Sequence, residues 1–284
     1  MVNLRILQNE DLFQAIRLSR AEGWNQTLKD WGLLTGTGGN VCLAALDGEC
    51  IIGTATAMVY GNRVAWIGMV IVDREYRGRG IGKELFSTLL DNLHPDLSLK
   101  LDATPAGEPV YQKFGFKAEY LIYRMTCHSV PAKLLSDEND GSLEPVVPDQ
   151  LDMLVDVDSQ VFGADRQPLL SHLLENDPGN AWVIRQGEEI TGLVLGRKGN
   201  RFYQIGPLVA SSTLEAKMLM TKFLKGTEGQ PVVVDIPKDK KELIQWLLTL
   251  GFSSQRHFVR MFQKENPYPG SPGRQFLIAG PEFG

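Results

Sequence analysis

Hydrophobic positions along this chain switch between a period of two and a period of about 3.6, and the switches mark out its elements. Leu4-Arg5-Ile6-Leu7 reads as a short strand. Asp11 then stands at the cap of a helix that offers Leu12, Ile16 and Leu18 to a core. Residues 41–46 and 51–59 are apolar runs joined at Asp47-Gly48, a hairpin signal, and residues 63–72 form the next strand, reached through Gly61-Asn62. Ile81, Leu85, Leu89 and Leu93 line one side of a helix over 81–93. Residues 97–101 alternate again, a short helix carrying Tyr111 stops at Gly115, and residues 120–125 read as a further strand.

The junction of strand and helix at Val70-Ile71-Val72-Asp73-Arg74-Glu75-Tyr76-Arg77-Gly78-Arg79-Gly80-Ile81-Gly82-Lys83 is the most informative stretch. A helix N-terminus offers unpaired N–H groups and partial positive charge, and glycines let the main chain approach an anion. A nucleotide P-loop would end Gly-Lys-Ser/Thr; here Glu84 follows Gly82-Lys83. A dinucleotide loop needs Gly-x-Gly-x-x-Gly, whereas Gly78, Gly80 and Gly82 are spaced by two. The pattern present is Arg-x-x-Gly-x-Gly, filled by Arg77, Gly80 and Gly82.

The frame then repeats in worn form. Gly115-Phe116 and Arg124-Met125 recur as Gly251-Phe252 and Arg260-Met261, an offset of 136. Gly61-Asn62-Arg63 and Ile67-Gly68 recur as Gly199-Asn200-Arg201 and Ile205-Gly206, an offset of 138. The loop does not recur: Glu215, Met218 and Met220 stand where Arg77, Gly80 and Gly82 would, and Leu247 replaces Tyr111. The second half should therefore keep the fold without an intact anion site, and should either stabilise the first half or shape or cover its pocket. Ser136-Asp137-Glu138-Asn139-Asp140-Gly141-Ser142 reads as a linker. Three units are expected: 1–128, a linker over 129–143, and 144–284. The proline-broken tail from Asn266 carries apolar Phe276-Leu277-Ile278-Ala279 and should pack back on the protein.

With 284 residues, 43% of them hydrophobic, each half can bury a core. A net charge of −5 argues against a general nucleic-acid surface. Cys42, Cys50 and Cys127 are odd in number, and neither they nor His94, His128, His172 and His257 show metal spacing. No 18-residue apolar run appears. A soluble, cytoplasmic protein without metal, membrane or nucleic-acid partner is expected, as a monomer or homodimer.

The Arg77–Gly80–Gly82 loop, followed by Tyr111-x-x-x-Gly115-Phe116 at the right spacing, resembles the GCN5-related N-acetyltransferases, which bind acetyl-coenzyme A. Two such domains, with Ala21-Glu22-Gly23-Trp24-Asn25, Phe162-Gly163-Ala164-Asp165-Arg166 and an Ala-Gly-Pro-Glu-Phe-Gly terminus, resemble a tandem branch whose C-terminal domain is divergent. The resemblance implies an α/β (α+β) fold of two tandem domains, each a mixed, mostly antiparallel twisted sheet flanked by helices. It implies that the main chain of Val70, Ile71 and Val72 meets the pantetheine arm, and that Arg77, Gly78, Arg79, Gly80, Ile81, Gly82 and Lys83 hold the pyrophosphate. Thr104 and Phe114 would border the coenzyme. Tyr111 would be the general acid near the sulfur, although a tyrosine beside Phe114 and Phe116 also suits a core. Family members often carry an Asn before the tyrosine helix; none lies between Asp102 and Tyr111. Glu22, Trp24 and Asn25 fall where the family lines its acceptor pocket, an acid beside an aromatic suiting a cationic amine. Glu22, Glu108, Asp102 or a water chain could serve as base, and Asp165-Arg166 reads as an internal ion pair or a recognition pair, the first being favoured.

The activity implied is acetyl transfer to a primary amine of a small molecule by direct attack in a ternary complex. Two alternatives stand beside it: a tandem-domain acyltransferase of the mycothiol-synthase kind with a larger substrate spanning both halves, and a non-catalytic coenzyme A-binding regulator.

Overall fold

A computed structural model describes residues 2–131, 135 and 142–284. Most of the expected linker, residues 136–141, lies outside the described residues. The first half runs β1 (Asn3–Ile6), α1 (Leu12–Ala21), α2 (Leu28–Gly36), β2 (Val41–Asp47), β3 (Cys50–Tyr60), β4 (Val64–Val72), α3 (Ile81–Asp91), β5 (Ser98–Ala103), α4 (Glu108–Gln112) and β6 (Phe116–Cys127). The second runs β7 (Leu143–Pro145), α5 (Leu151–Phe162), α6 (Gln167–Asn176), β8 (Trp182–Gln186), β9 (Glu189–Lys198), β10 (Tyr203–Val209), α7 (Thr213–Lys225), β11 (Val232–Pro237), α8 (Lys241–Thr249), β12 (Ser253–Gln263) and β13 (Gln275–Leu277).

The strands of both halves join in one sheet, ordered β1-β2-β3-β4-β5-β12-β6-β11-β10-β9-β8-β7, with β13 against β10. Its pairs are antiparallel except β4 with β5 and β10 with β11. The order holds an exchange: β12, the last long strand of the second half, lies between β5 and β6 of the first. In return β6 pairs with β11. The repeated Arg-Met dipeptides seal this exchange symmetrically. Arg124 on β6 forms a two-pronged pair with Asp235 on β11 at 2.8 and 2.7 Å, and Arg260 on β12 does the same with Asp102 on β5 at 2.9 Å on both prongs. Each arginine thus meets an aspartate of the opposite half.

Alternation along the strands divides the core between two faces. Val64, Trp66 and Tyr60 share one face with residues of α1, α2, α5 and α6, so both halves contribute to a single apolar cluster. Ala65, Ile67 and Ala57 face the other way and pack under Leu85, Phe86 and Leu89 of α3. Buried Ala216, Leu219 and Phe223 of α7 and Leu243 and Leu247 of α8 cover the second half's share of the sheet.

The tail packs back, as its apolar run suggests. Trp66 Nε1 donates to the carbonyl of Pro281 at 2.9 Å, Tyr60 Oη to that of Phe283 at 3.0 Å, and Arg197 Nη1 to that of Ala279 at 2.8 Å. Two local expectations fail. Asp11 does not cap α1; its carboxylate takes Arg5 and the Gln8 N–H instead. Arg166 pairs not with Asp165 but with Asp158 on α5, eight residues earlier, while Asp165 accepts from the Gln167 N–H.

Candidate active site

β4 and β5 run parallel from Val64 opposite Ser98 to Ile67 opposite Leu101, and then part. β5 ends on β12, with Asp102 opposite Arg260 and Ala103 opposite Val259. β4 continues along β3 with one extra residue, since Gly68 opposes Thr56 and Ile71 opposes Thr54. Met69 takes a φ of +49° there, and the hydroxyls of Thr54 and Thr56 donate to the carbonyls of Met69 and Gly68 at 2.8 and 3.1 Å. Such a bulge bends and twists its strand. The result is a wedge between residues 68–72 and the end of β5.

Two cavities meet in that wedge. One of about 880 Å³ is bordered by Val72, Tyr76, Arg77, Gly78, Gly80, Ile81, Gly82, Lys83 and Phe86. The other, of about 700 Å³, is bordered by Trp24, Gln26, Asp102, Thr104, Arg124, Arg256, Phe258, Pro281 and Glu282. Val70, Gly107 and Tyr111 border both.

The first cavity ends at the N-terminus of α3. Gly78 and Gly80 have φ of +78° and +83°, and no side chain caps the helix. The first-turn N–H groups thus keep their free direction and partial charge toward the groove. The loop's own side chains brace it. Arg77 Nε donates to the Val72 carbonyl at 3.0 Å, and Arg77 and Arg74 both hold Glu22, at 2.8 and 2.9 Å. Arg79 donates to the Glu75 carbonyl and stacks on Tyr76, whose hydroxyl reaches Asp47. The matching helix of the second half is closed: Ser212 Oγ accepts from the Glu215 N–H at 3.2 Å, and the Glu215 carboxylate accepts from the Ser211 N–H at 2.8 Å. Met220 is fully buried beneath it. The second half's counterpart of α3 thus lacks the open, glycine-lined end that the first half keeps.

Tyr111 sits where the two cavities join. Its ring packs on Phe86 with centroids 4.9 Å apart and on Phe116 at 6.3 Å. Its hydroxyl makes no hydrogen bond to another described residue, and burial pushes its pKa up to about 12. The phenol therefore keeps its proton at neutral pH.

An acetyltransferase (GNAT) family model matches residues 5–116, and an acetyltransferase (GNAT) domain model matches residues 154–277. The chain belongs to the GCN5-related N-acetyltransferase superfamily. It is 27% identical over 266 residues to an uncharacterized N-acetyltransferase, YitH, of Bacillus subtilis (strain 168), covering 92% of each chain. It is 26% identical to a holothin acyltransferase of Pseudoalteromonas sp. (strain SANK 73390), covering 82% of this chain and 78% of that one. A putative acetyltransferase structure from Pyrococcus horikoshii superposes with a TM-score of 0.81 at 22% identity, over 100% of this chain and 96% of that one.

Within this acetyltransferase frame the expected residues separate. Val70, Val72, Gly78, Gly80, Ile81, Gly82, Lys83, Arg77 and Tyr111 gather along the groove. Arg79 lies on the same loop but is turned into bracing it, and Ile71 is buried against the core. Thr104 borders the second cavity, and its hydroxyl accepts from the Gly107 N–H at 3.2 Å. Phe114 packs on Phe86 at 4.8 Å and does not border the groove. Of the acceptor trio, Trp24 borders the second cavity. Glu22 is bound to the loop arginines, and buried Asn25 ties the halves together through the Arg201 N–H, the Phe202 N–H and the Phe202 carbonyl. Among the candidate bases, Glu108 borders neither cavity and Asp102 is held by Arg260.

Local reading of the first half could not reach Arg256, Phe258, Pro281 and Glu282, and it stopped one residue short of Gln26. Arg256 and Phe258 arrive on the exchanged strand, and Pro281 and Glu282 on the tail. The sequence signals toward them were the recurring Arg124-Met125 and Arg260-Met261 and the Ala-Gly-Pro-Glu-Phe-Gly terminus. Among the described residues, no helix is long and apolar enough to cross a membrane, and no group of three or more His, Cys, Asp or Glu could hold a metal ion.

Proposed function

We propose that this protein transfers an acetyl group from acetyl-coenzyme A to a primary amine of a small molecule, by direct attack in a ternary complex. The observation that carries the reading is the meeting of an anion-ready groove and a separate, polar cavity at Val70, Gly107 and Tyr111. The groove fits the coenzyme: uncapped N–H groups and left-handed glycines suit the pyrophosphate, and the free edge of β4 past Ile67 suits an amide-bearing arm. The coenzyme would supply an activated carbonyl.

The chain's own residues then have defined tasks. The second cavity holds the amine in line, and proximity alone is worth several kcal/mol of the barrier. An amine of ordinary pKa, about 10.4, must lose a proton before attack. Asp102 and Glu282 are each engaged by an arginine, so water in the cavity is the acceptor we favour. The Tyr111 hydroxyl would donate a hydrogen bond or proton to the leaving sulfur as the C–S bond breaks and the carbonyl re-forms, help worth roughly 10²–10⁴-fold.

Both halves border this cavity, and an acceptor held among their side chains is read as small rather than as spanning the whole molecule. The relative named holothin acyltransferase supports acyl transfer as the reaction class. Thiol release from acetyl-coenzyme A, and from longer acyl-coenzymes, measured across a panel of small amines tests the proposal. Coenzyme binding without release for any amine would instead mark a regulator.

A further inference from the structure

The acceptor cavity has one arginine more than its ion pairs use. Asp102 is matched by Arg260, Asp235 by Arg124, and Glu282 by Arg197, which also holds Asp30 at 2.8 Å. Arg256 borders the same cavity and forms no hydrogen bond or ion pair with any described residue. Its Nε is buried without a partner, and its guanidinium lies over the Phe258 ring, 5.1 Å from the centroid. Arg124 lies over the same ring at 5.2 Å. Arg124 spends Nε and Nη2 on Asp235, and among the described residues Nη1 has no acceptor. Two forks thus converge on one aromatic ring with donors left over, and burial next to Arg124 holds the Arg256 pKa down at about 10. A guanidinium placed where its charge is disfavoured, with a donor unsatisfied, is a site short of an anion.

The place of this anion is also set. The last pair between β5 and β12 joins Ala103 to Val259, so Arg256 stands three residues past it, roughly 10 Å along the strand beyond the end of β5. Glu282 lies elsewhere on the wall, with its backbone against β4 at Gly68. The cavity therefore presents a guanidinium at the far end of β12 and a carboxylate beside β4.

We propose that Arg256, with the free edge of Arg124, docks a carboxylate on the acceptor, so that the substrate is an amine carrying a carboxylate, of the amino-acid kind. This rests on the acetyltransferase reading above. A single uncompensated charge and two planar forks suit a carboxylate better than a phosphate dianion, which would also meet Asp102 and Glu282.

The test uses the full chain saturated with coenzyme A and titrates it calorimetrically with L-amino acids, their carboxamides and inorganic phosphate. The acids are expected to bind at least tenfold more tightly than the matched amides. Arg256→Gln should erase that preference without changing coenzyme affinity, and Arg256→Lys should keep part of it. Amides that bind as well as acids, a preference that survives Arg256→Gln, no binding by any acid, or phosphate outbinding every acid would each overturn the proposal. Thiol release is read separately on the same ligands. Acids that bind through Arg256 without release would sink acetyl transfer while leaving the carboxylate site standing.

Discussion

Removing Arg260 tests the strand exchange and the acceptor wall together. Its guanidinium is buried, bonded on two prongs to Asp102, donates to the Tyr120 hydroxyl at 2.7 Å and stacks on Trp66 at 4.6 Å. Arg260→Met keeps much of the volume and leaves the fully buried Asp102 carboxylate alone. Breaking one partner of a buried pair costs about 3–5 kcal/mol. At about 2–4 °C per kcal/mol for chains of roughly this length, the melting temperature should fall by about 6–20 °C. Asp102→Asn in the Arg260→Met background removes the stranded charge, so the double variant should recover at least about 2 kcal/mol relative to Arg260→Met alone. Urea unfolding of the wild type, both single variants and the double variant gives the coupling directly. Additive losses across the cycle would mean that Arg260 and Asp102 do not stabilise the junction of β5 and β12 as a pair.

Four further outcomes follow from the same geometry. Tyr111→Phe keeps the ring packing and should lower kcat about 10²–10⁴-fold with little change in coenzyme affinity; with the phenol raised to about 12, the loss should be uniform up to pH 9, and a variant with wild-type turnover would remove Tyr111 as proton donor. The same shift works on stability: the folded phenol stays neutral where the unfolded one ionises, so this contribution should fade from about pH 10 to 12, seen as a smaller alkaline loss in the Tyr111→Phe unfolding profile. Calorimetry should give one coenzyme site per chain, abolished by Gly80→Glu, whereas two equivalent sites would contradict the closed helix end at Ser212 and Glu215. A fragment ending at Ser142 lacks β12 and the tail, so it should show no cooperative unfolding transition; a cooperative, coenzyme-binding fragment would refute the interlock.

Much of the first half was legible because its signals are local. The glycine loop between Val72 and Ile81, the helix stop at Gly115 and the hairpin at Asp47-Gly48 each follow from backbone needs of a few adjacent residues. The erased loop of the second half was legible for the same reason, since Glu215 and Met220 alter one short site. Strand neighbours are another matter. Nothing in the alternation of residues 253–263 says which edge they join, and the exchange of β12 and β6 rests on pairing across well over a hundred residues. That is why Arg256, Phe258 and Glu282 escaped a reading of the acceptor pocket that placed it near Glu22, Trp24 and Asn25. Polar side chains misled at short range too: Asp11 and Arg166 have several eligible partners nearby, and packing chose Arg5 and Asp158.

The exchanged strand also has a consequence for how the protein is made. On the ribosome, β6 emerges 136 residues before the end of β12. At 5–20 residues per second that is an interval of about 7–27 s. Until it ends, β5 and β6 both carry an unpaired edge that awaits the same missing strand, and open edges invite pairing with other chains. The nascent first half is thus a long-lived, sticky intermediate, and its yield in a cell should depend on chaperone capacity and synthesis rate more than the stability of the finished fold would suggest.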